Sequence, residues 1–244
     1  MNVKKRNPLE SAFQDFVKDF GGEVLPKASD GHTADYLFRK HDVVAELKTL
    51  TADQTDGTNR KLTPMVQEWI RKNGRTPPGT MQGDKYIVTI KDMPCEIQDF
   101  WLGLLKASMD TLVRDSNRQV RDTKIRMGLP AAKGMILIAN QSNFYHDHPD
   151  SFRRLIAEIL RKRTNSGALR YPHINAAVYF SFQGVMSRDE GMNFWANLQM
   201  KQAPDEDVSS IIRFQKHLQQ AFYQYIEKTT GIKVRQHART ASSA

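Results

Sequence analysis

The most constraining feature of this 244-residue chain is an uninterrupted apolar stretch, GMILIA, within Lys133–Asn140. An apolar run of this length without polar alternation is typical of a strand that is buried on both faces at the centre of a sheet. A second such run, at 175–182, predicts another strand, and helical patterns precede and follow both. Because helices and strands alternate along the chain, we expect an α/β layered fold.

Helices are predicted where apolar residues recur at helical spacing between glycine, proline or polar clusters. They cover Pro8–Phe20, Asp99–Met127, Pro149–Lys162 and Asp207–Thr229. Between the first two, Thr33–Phe38 and Val43–Leu50 are β-rich runs separated by four polar residues, which predicts a hairpin. A short edge strand is expected at Gly22–Pro26.

Composition divides the chain into three predicted parts. Residues 1–140 form the core, with an insertion at 51–94 that is rich in Thr, Asp, Gly, Asn and Pro and holds a helix around Pro64–Lys72. Residues 141–232 are predicted to be a C-terminal α/β extension that packs on the core or extends it. Residues 233–244, KVRQHARTASSA, are predicted to be a mobile basic tail.

The second hairpin strand carries two charges on one face. In VVAELKTL, Val44, Glu46 and Lys48 share one face, because alternate residues of a strand point the same way. Charges inside an otherwise apolar strand must be paired or must line a wet cleft. Across the hairpin, Asp35 can lie beside Glu46. Two carboxylates on adjacent strands can hold Mg²⁺, or Mn²⁺ in its place, and the lysine can orient or deprotonate an attacking water or stabilise the charged transition state.

This arrangement resembles the PD-(D/E)xK phosphodiesterase superfamily, the fold of many restriction enzymes and repair nucleases. The resemblance covers roughly 8–140 and implies a core of helix, three-strand meander, helix and strand, with a mixed central sheet flanked by helices. It assigns metal binding to Asp35 and to the glutamate of Glu46-Leu47-Lys48, with Lys48 as the catalytic lysine. The proline that often precedes the acid is Ala34 here.

Two further positions follow from the same resemblance. A first-helix glutamate that supports the metal directly or through water matches Glu10, in PLESAF. A polar residue on the following helix matches Gln119 or Lys124. These two are five residues apart, about 140° around a helix, so both cannot point into one site, and we favour Gln119.

The resemblance implies a Mg²⁺-dependent endonuclease that cleaves DNA rather than RNA, in a restriction or phage-defence context. The chain carries 36 Lys+Arg against 27 Asp+Glu, a net charge of +9, which favours a polyanionic partner. Arg114, Arg118 and Arg121 recur at i, i+4 and i+7 and form a basic stripe. The predicted nucleic-acid contacts are Arg114, Arg118, Arg121, Lys124, Arg60 and Lys61.

Two other interpretations fit the same residues. One is a non-catalytic nucleic-acid-binding or regulatory module on the same scaffold. The other is a solvated strand-face ion pair between Glu46 and Lys48, with Asp35 as a turn residue. Besides these residues, His146-Asp147-His148 could form a metal cluster, but the following Pro149 favours a solvated loop.

Composition bears on which disulfides, cysteine-based metal sites and membrane spans this chain can form. A single cysteine, Cys95, excludes an intrachain disulfide and a cysteine-based zinc site. No apolar run approaches the roughly 20 residues that a membrane span needs, and the basic start has no apolar segment behind it. We therefore expect a cytoplasmic protein without a membrane partner. A two-fold DNA target would suit a homodimer.

Overall fold

The computed structural model describes residues 8–27, 32–50, 55–76, 80–82, 85–87, 93–141, 149–181, 195–201 and 206–231. Within these ranges, five helices and eight strands alternate along the chain, and six of the strands form one open sheet. The helices are α1 (Pro8–Asp19), α2 (Thr55–Asn73), α3 (Cys95–Arg126), α4 (Pro149–Leu160) and α5 (Ser209–Thr230). The strands are β1 (Glu23–Val24), β2 (Tyr36–Phe38), β3 (Val43–Leu50), β4 (Thr80–Gln82), β5 (Lys85–Ile87), β6 (Lys133–Asn140), β7 (Ala176–Ser181) and β8 (Trp195–Gln199).

The sheet is mixed, with strand order β1-β2-β3-β6-β7-β8. β1, β2 and β3 form an antiparallel meander, whereas β3, β6 and β7 are parallel. β8 returns antiparallel to β7. The parallel pair β3–β6 needs a long crossover, which α2 and α3 provide. The predicted order of helix, three-strand meander, helix and strand is therefore present as α1, β1–β3, α3 and β6. The helix α2 and the small hairpin β4–β5 lie between the meander and α3 in the sequence.

Two apolar layers hold the sheet between helices. On one face, α1 and α5 pack aromatic side chains against the strands, and the Phe13 ring lies 5.3 Å from Phe180 and 5.5 Å from Phe222. On the other face, α3 and α4 cover Val44, Ile136 and Ile138. Residues of β6 such as Leu137 and Ile138 are fully buried, because this strand contributes to both layers. The predicted mixed sheet flanked by helices is confirmed.

Several predicted elements match the structure closely. The strand predicted at 133–140 has these same bounds, and the predicted hairpin is the β2–β3 pair. The insertion differs from its prediction, because α2 begins at Thr55, nine residues before the expected start, and because β4 adds a strand that pairs with β5. The alternation of Lys85–Ile90 predicts a strand, and β5 occupies its described part, Lys85–Ile87. β8 was not predicted, since its five residues, WANLQ, carry too little periodicity to separate them from a loop.

The predicted core and the predicted C-terminal extension contribute strands to the same sheet. β7 and β8 of the predicted extension continue the sheet that β1, β2, β3 and β6 begin. The predicted tail at 233–244 and the motif His146–His148 lie outside the described residues. Among the helices of the described ranges, none is both long and apolar enough to cross a membrane.

Candidate functional site

The β2–β3 hairpin brings Asp35 to the middle of β3. Tyr36 pairs with Ala45, so Asp35 lies one step further along, opposite Glu46. The hairpin turns through Arg39–His41 and Asp42, whose φ of 51° is a left-handed conformation that aspartate tolerates. The Asp35 carboxylate is fixed to β3, because its Oδ2 accepts a hydrogen bond of 2.9 Å from the Leu47 N–H.

Lys48 joins the strand to the long helix α3. Its Nζ donates to Glu46 Oε1 at 2.7 Å and to Gln119 Oε1 at 2.8 Å. The Glu46 side chain is only 2% exposed and that of Lys48 is 25% exposed, so the pair is not the solvated surface pair that we considered as an alternative. Of the two candidates on α3, Gln119 is the one that reaches Lys48, in agreement with the helical geometry.

One oxygen of the buried Glu46 carboxylate lacks a partner. Glu46 Oε2 is inaccessible to solvent and accepts no hydrogen bond from any described residue. Burial, followed by repulsion from Asp35, raises the pKa of Glu46 to about 7, and the cations Lys48 and Lys27 offset only part of this rise. Burial of a carboxylate oxygen without a hydrogen-bond donor costs free energy. A proton or a cation bound to Glu46 Oε2 would offset this cost.

Sequence reasoning missed one member of the cluster, Lys27. Its Nζ donates to Asp35 Oδ1 and, at 3.4 Å, to the Thr33 carbonyl. Burial lowers the pKa of Lys27, but the carboxylates of Asp35, Glu46 and Glu10 outweigh burial and raise it. The only sequence signal is its place just after the predicted edge strand; the Leu25 N–H to Asp35 carbonyl bond makes that segment a neighbour of Asp35.

Glu10 approaches the cluster from the other side of the sheet. Its Oε1 accepts a 3.3 Å hydrogen bond from Thr49 Oγ1, and Thr49 points away from the face that Glu46 and Lys48 share. Within the part of the chain that the structure describes, no three histidine, cysteine or acidic side chains lie close enough together to hold a metal ion. A cation here would thus take its protein ligands from Asp35 and Glu46, and support by Glu10 stays a prediction.

The predicted basic stripe is present on the solvent side of α3. Arg114, Arg118 and Arg121 are exposed, but Asp115 lies 3.8 Å from the first two and Asp122 lies 2.7 Å from Arg121. The stripe is therefore partly neutralised. Its member nearest to Gln119, Arg118, lies about 100° around the helix from that residue, so the stripe does not line the cluster itself. Two further predicted contact residues are exposed on α2, namely Arg60 and Lys61.

The prediction that Lys124 contacts nucleic acid is wrong, because its side chain is buried. Lys124 is 6% exposed, and its Nζ lies 3.4 Å from the His173 carbonyl. Burial, with the nearby charge of Lys133, lowers the pKa of Lys124 to about 8, against a smaller opposing effect of Glu206. Its position on α3 turns it towards the sheet, where no polyanion can reach it.

Replacing Lys124 with methionine is expected to stabilise the protein. Because the pKa in the folded state lies below that of the unfolded chain, the charged lysine costs free energy below pH 8 and this cost fades as pH rises towards 10.5. We expect Lys124→Met to raise the free energy of unfolding at pH 7 by about 1–3 kcal/mol. Urea unfolding at pH 7 and pH 10 measures this gain, which should shrink at the higher pH. The exposed Lys216→Met is the control, and an equal change in both variants would contradict the assignment.

Comparison of the chain with protein-family models, curated proteins and solved structures found no match. The case for any function therefore rests on the residues and on the geometry of the cluster formed by Lys27, Asp35, Glu46, Lys48 and Gln119, which we call the β3 cluster.

Proposed function

We propose that the protein is a divalent-metal-dependent nuclease of the PD-(D/E)xK kind, acting on DNA. The observation that carries the proposal is the Lys48 ammonium bridging Glu46 and Gln119 beside Asp35. Support also comes from the order of the elements, because α1, the β1–β3 meander, α3 and β6 follow one another as that superfamily implies.

The donor set of the β3 cluster suits a hard divalent cation. Asp35, just before β2, and Glu46, in the adjacent strand β3, offer carboxylate oxygens. Mg²⁺ is commonly held by one or two carboxylates with water and phosphate oxygens. The buried and unpartnered Glu46 Oε2 is the atom that such a cation would satisfy. When bound, the ion polarises the phosphodiester and offsets the charge that develops on it.

Lys48 is the residue that would contact the reacting groups. Its ammonium has three donors, and Glu46 and Gln119 accept two of them, so one remains to orient the attacking water or a phosphate oxygen. An ammonium in an ion pair has no lone pair with which to accept a proton. The geometry therefore favours orientation of water and stabilisation of charge over a role as general base. Gln119 acts as a positioning residue by holding Lys48.

A cleavage assay tests the proposal. Purified protein is incubated with supercoiled plasmid, linear duplex, single-stranded DNA and RNA in the presence of Mg²⁺, Mn²⁺ or EDTA. We expect metal-dependent cleavage of DNA that EDTA abolishes and that Asp35→Asn removes. The exposed Glu158→Gln, which loses the same charge from an ion pair with Lys106, should cut normally. Absence of cleavage on every substrate with both metals would contradict the proposal.

The exposed arginines favour a second candidate, a nucleic-acid-binding module without catalysis. Arg114, Arg118 and Arg121 face solvent and could contact phosphates across α3. In that case DNA affinity should fall steeply with salt, and Arg118→Gln should weaken binding while Glu46→Ala and chelation of metal leave binding unchanged. Metal-dependent cleavage would decide against this candidate.

A further inference from the structure

The two oxygens of Asp35 are both engaged before any metal binds. Oδ2 accepts the Leu47 N–H at 2.9 Å, and this bond is part of the link between β2 and β3. Oδ1 accepts from the ammonium of Lys27. The opposite carboxylate differs, since Glu46 Oε2 has no donor among the described residues. Glu46 therefore keeps one oxygen without a donor, whereas both oxygens of Asp35 accept hydrogen bonds, one of them from the Lys27 side chain.

Lys27 lies within electrostatic range of three acidic residues. Its charge interacts favourably with Asp35, just before β2, with Glu46 of β3 and with Glu10 of α1. The ammonium also donates to the Thr33 carbonyl at the longer distance of 3.4 Å, so Asp35 is its main anchor. More than half of the Lys27 side chain remains exposed, which leaves it room to move into solvent.

We propose that Lys27 is a tethered cation that caps Asp35 Oδ1 in the metal-free protein and that a divalent ion must displace. The inference rests on the metal site of the proposed function. Asp35 Oδ2 is held by backbone, so Oδ1 is the oxygen that can turn to a metal, and Lys27 and the metal cannot both occupy it. Metal loading is thereby coupled to movement of the Lys27 side chain away from Asp35.

The consequence is a competition that can be measured without catalysis. Removing the ammonium frees Asp35 Oδ1 and removes a positive charge from beside the metal, so both effects tighten metal binding. Loss of the ion pair and loss of the repulsion between ammonium and metal together correspond to roughly a tenfold change in affinity. In the absence of metal the same change leaves the carboxylates uncompensated, so the metal-free protein should unfold at a lower temperature than wild type.

The test is titration of each protein with Mn²⁺ alone. Binding is measured by calorimetry and, separately, by electron paramagnetic resonance of free Mn²⁺. Wild type, Lys27→Met and Asp35→Asn are compared with Lys106→Met, which also loses one ion-paired lysine but lies outside the β3 cluster. Lys27→Gln repeats the measurement if the methionine variant does not fold. We expect Lys27→Met to bind Mn²⁺ about tenfold more tightly than wild type, Lys106→Met to match wild type, and Asp35→Asn to lose binding. Melting curves in EDTA and in saturating Mn²⁺ should show that the metal restores the stability that Lys27→Met loses.

Each outcome has a distinct meaning. If wild type binds Mn²⁺ through Asp35 but the Lys27 variants bind it equally or more weakly, the inference on Lys27 is overturned and the metal site stands. If no variant binds Mn²⁺, the metal site and the proposed nuclease are overturned together, and the inference with them. Binding that survives Asp35→Asn would place the ion elsewhere and overturn both as well.

Discussion

Lys48→Met is expected to lower the rate of metal-dependent DNA cleavage by roughly 100- to 1000-fold. The substitution removes the one ammonium that faces both Glu46 and Gln119, while the methionine retains the length of the side chain. Nothing else in the described part of the β3 cluster can supply a positive charge from that position, because Lys27 lies against Asp35. Single-turnover cleavage of a labelled duplex at saturating Mg²⁺ measures the chemical step.

The structure offers a matched control for this variant. Lys162 has similar exposure and pairs at 2.6 Å with Asp110, which lies about 13 Å along α3 from Gln119, so Lys162→Met tests the loss of a half-buried ion pair alone. In Lys48→Met the buried Glu46 carboxylate loses its cation and is expected to take up a proton, so circular dichroism and a melting curve must show a folded protein. Cleavage by Lys48→Met within about threefold of wild type would contradict the assigned role.

Gly134→Ala is expected to destabilise the protein by at least about 3 kcal/mol. A Cβ built on Gly134 would lie 1.8 Å from the His173 carbonyl oxygen and 2.7 Å from Val120 Cγ1, so backbone has to move. Gly134 also donates to Asn175 Oδ1 and accepts from the Asn175 N–H. This close approach lets α3 and the segment before β7 pack on the start of β6. Because Val120 adjoins Gln119, the variant should also reduce cleavage by any protein that remains folded.

Gly103→Ala is the control for this prediction. Gly103 lies inside α3 with no atom near a built Cβ, so alanine there is expected to be neutral or to stabilise by up to about 1 kcal/mol. Urea unfolding of the two variants and of wild type compares them directly. A Gly134→Ala protein as stable as wild type would show that the approach of His173 to β6 is not as close as the structure describes.

Local pattern predicted the parts of the site that lie within one element or one hairpin. The alternation of Glu46 and Lys48 fixed which face they share, and the four-residue turn fixed that Asp35 would lie opposite. Helical geometry showed that Gln119 and Lys124 cannot both point into one site, and the structure places Gln119 against Lys48. The apolar run of β6 was decisive for the fold, because a strand without polar positions has to be central.

The remaining features depend on contacts between distant segments. Lys27 follows the edge strand, and only the pairing of that segment with Asp35 makes it part of the cluster. The burial of Lys124 depends on the packing of α3 against the segment that holds His173, which no local pattern reveals. β8 pairs with β7 from a stretch too short to show periodicity. The placement of Glu10 beside Thr49 likewise reflects how α1 docks on the sheet.

The central claim, that Asp35 and Glu46 together hold a divalent cation beside Lys48, is tested most directly by diffraction from crystals grown with Mn²⁺. We expect an anomalous difference peak within coordination distance of Asp35 Oδ1 and Glu46 Oε2, with Lys27 moved away from Asp35 and Lys48 still in contact with Gln119. The claim would be contradicted by a structure in which Mn²⁺ is fully occupied at another site instead, or in which no Mn²⁺ lies between these two carboxylates at saturating Mn²⁺.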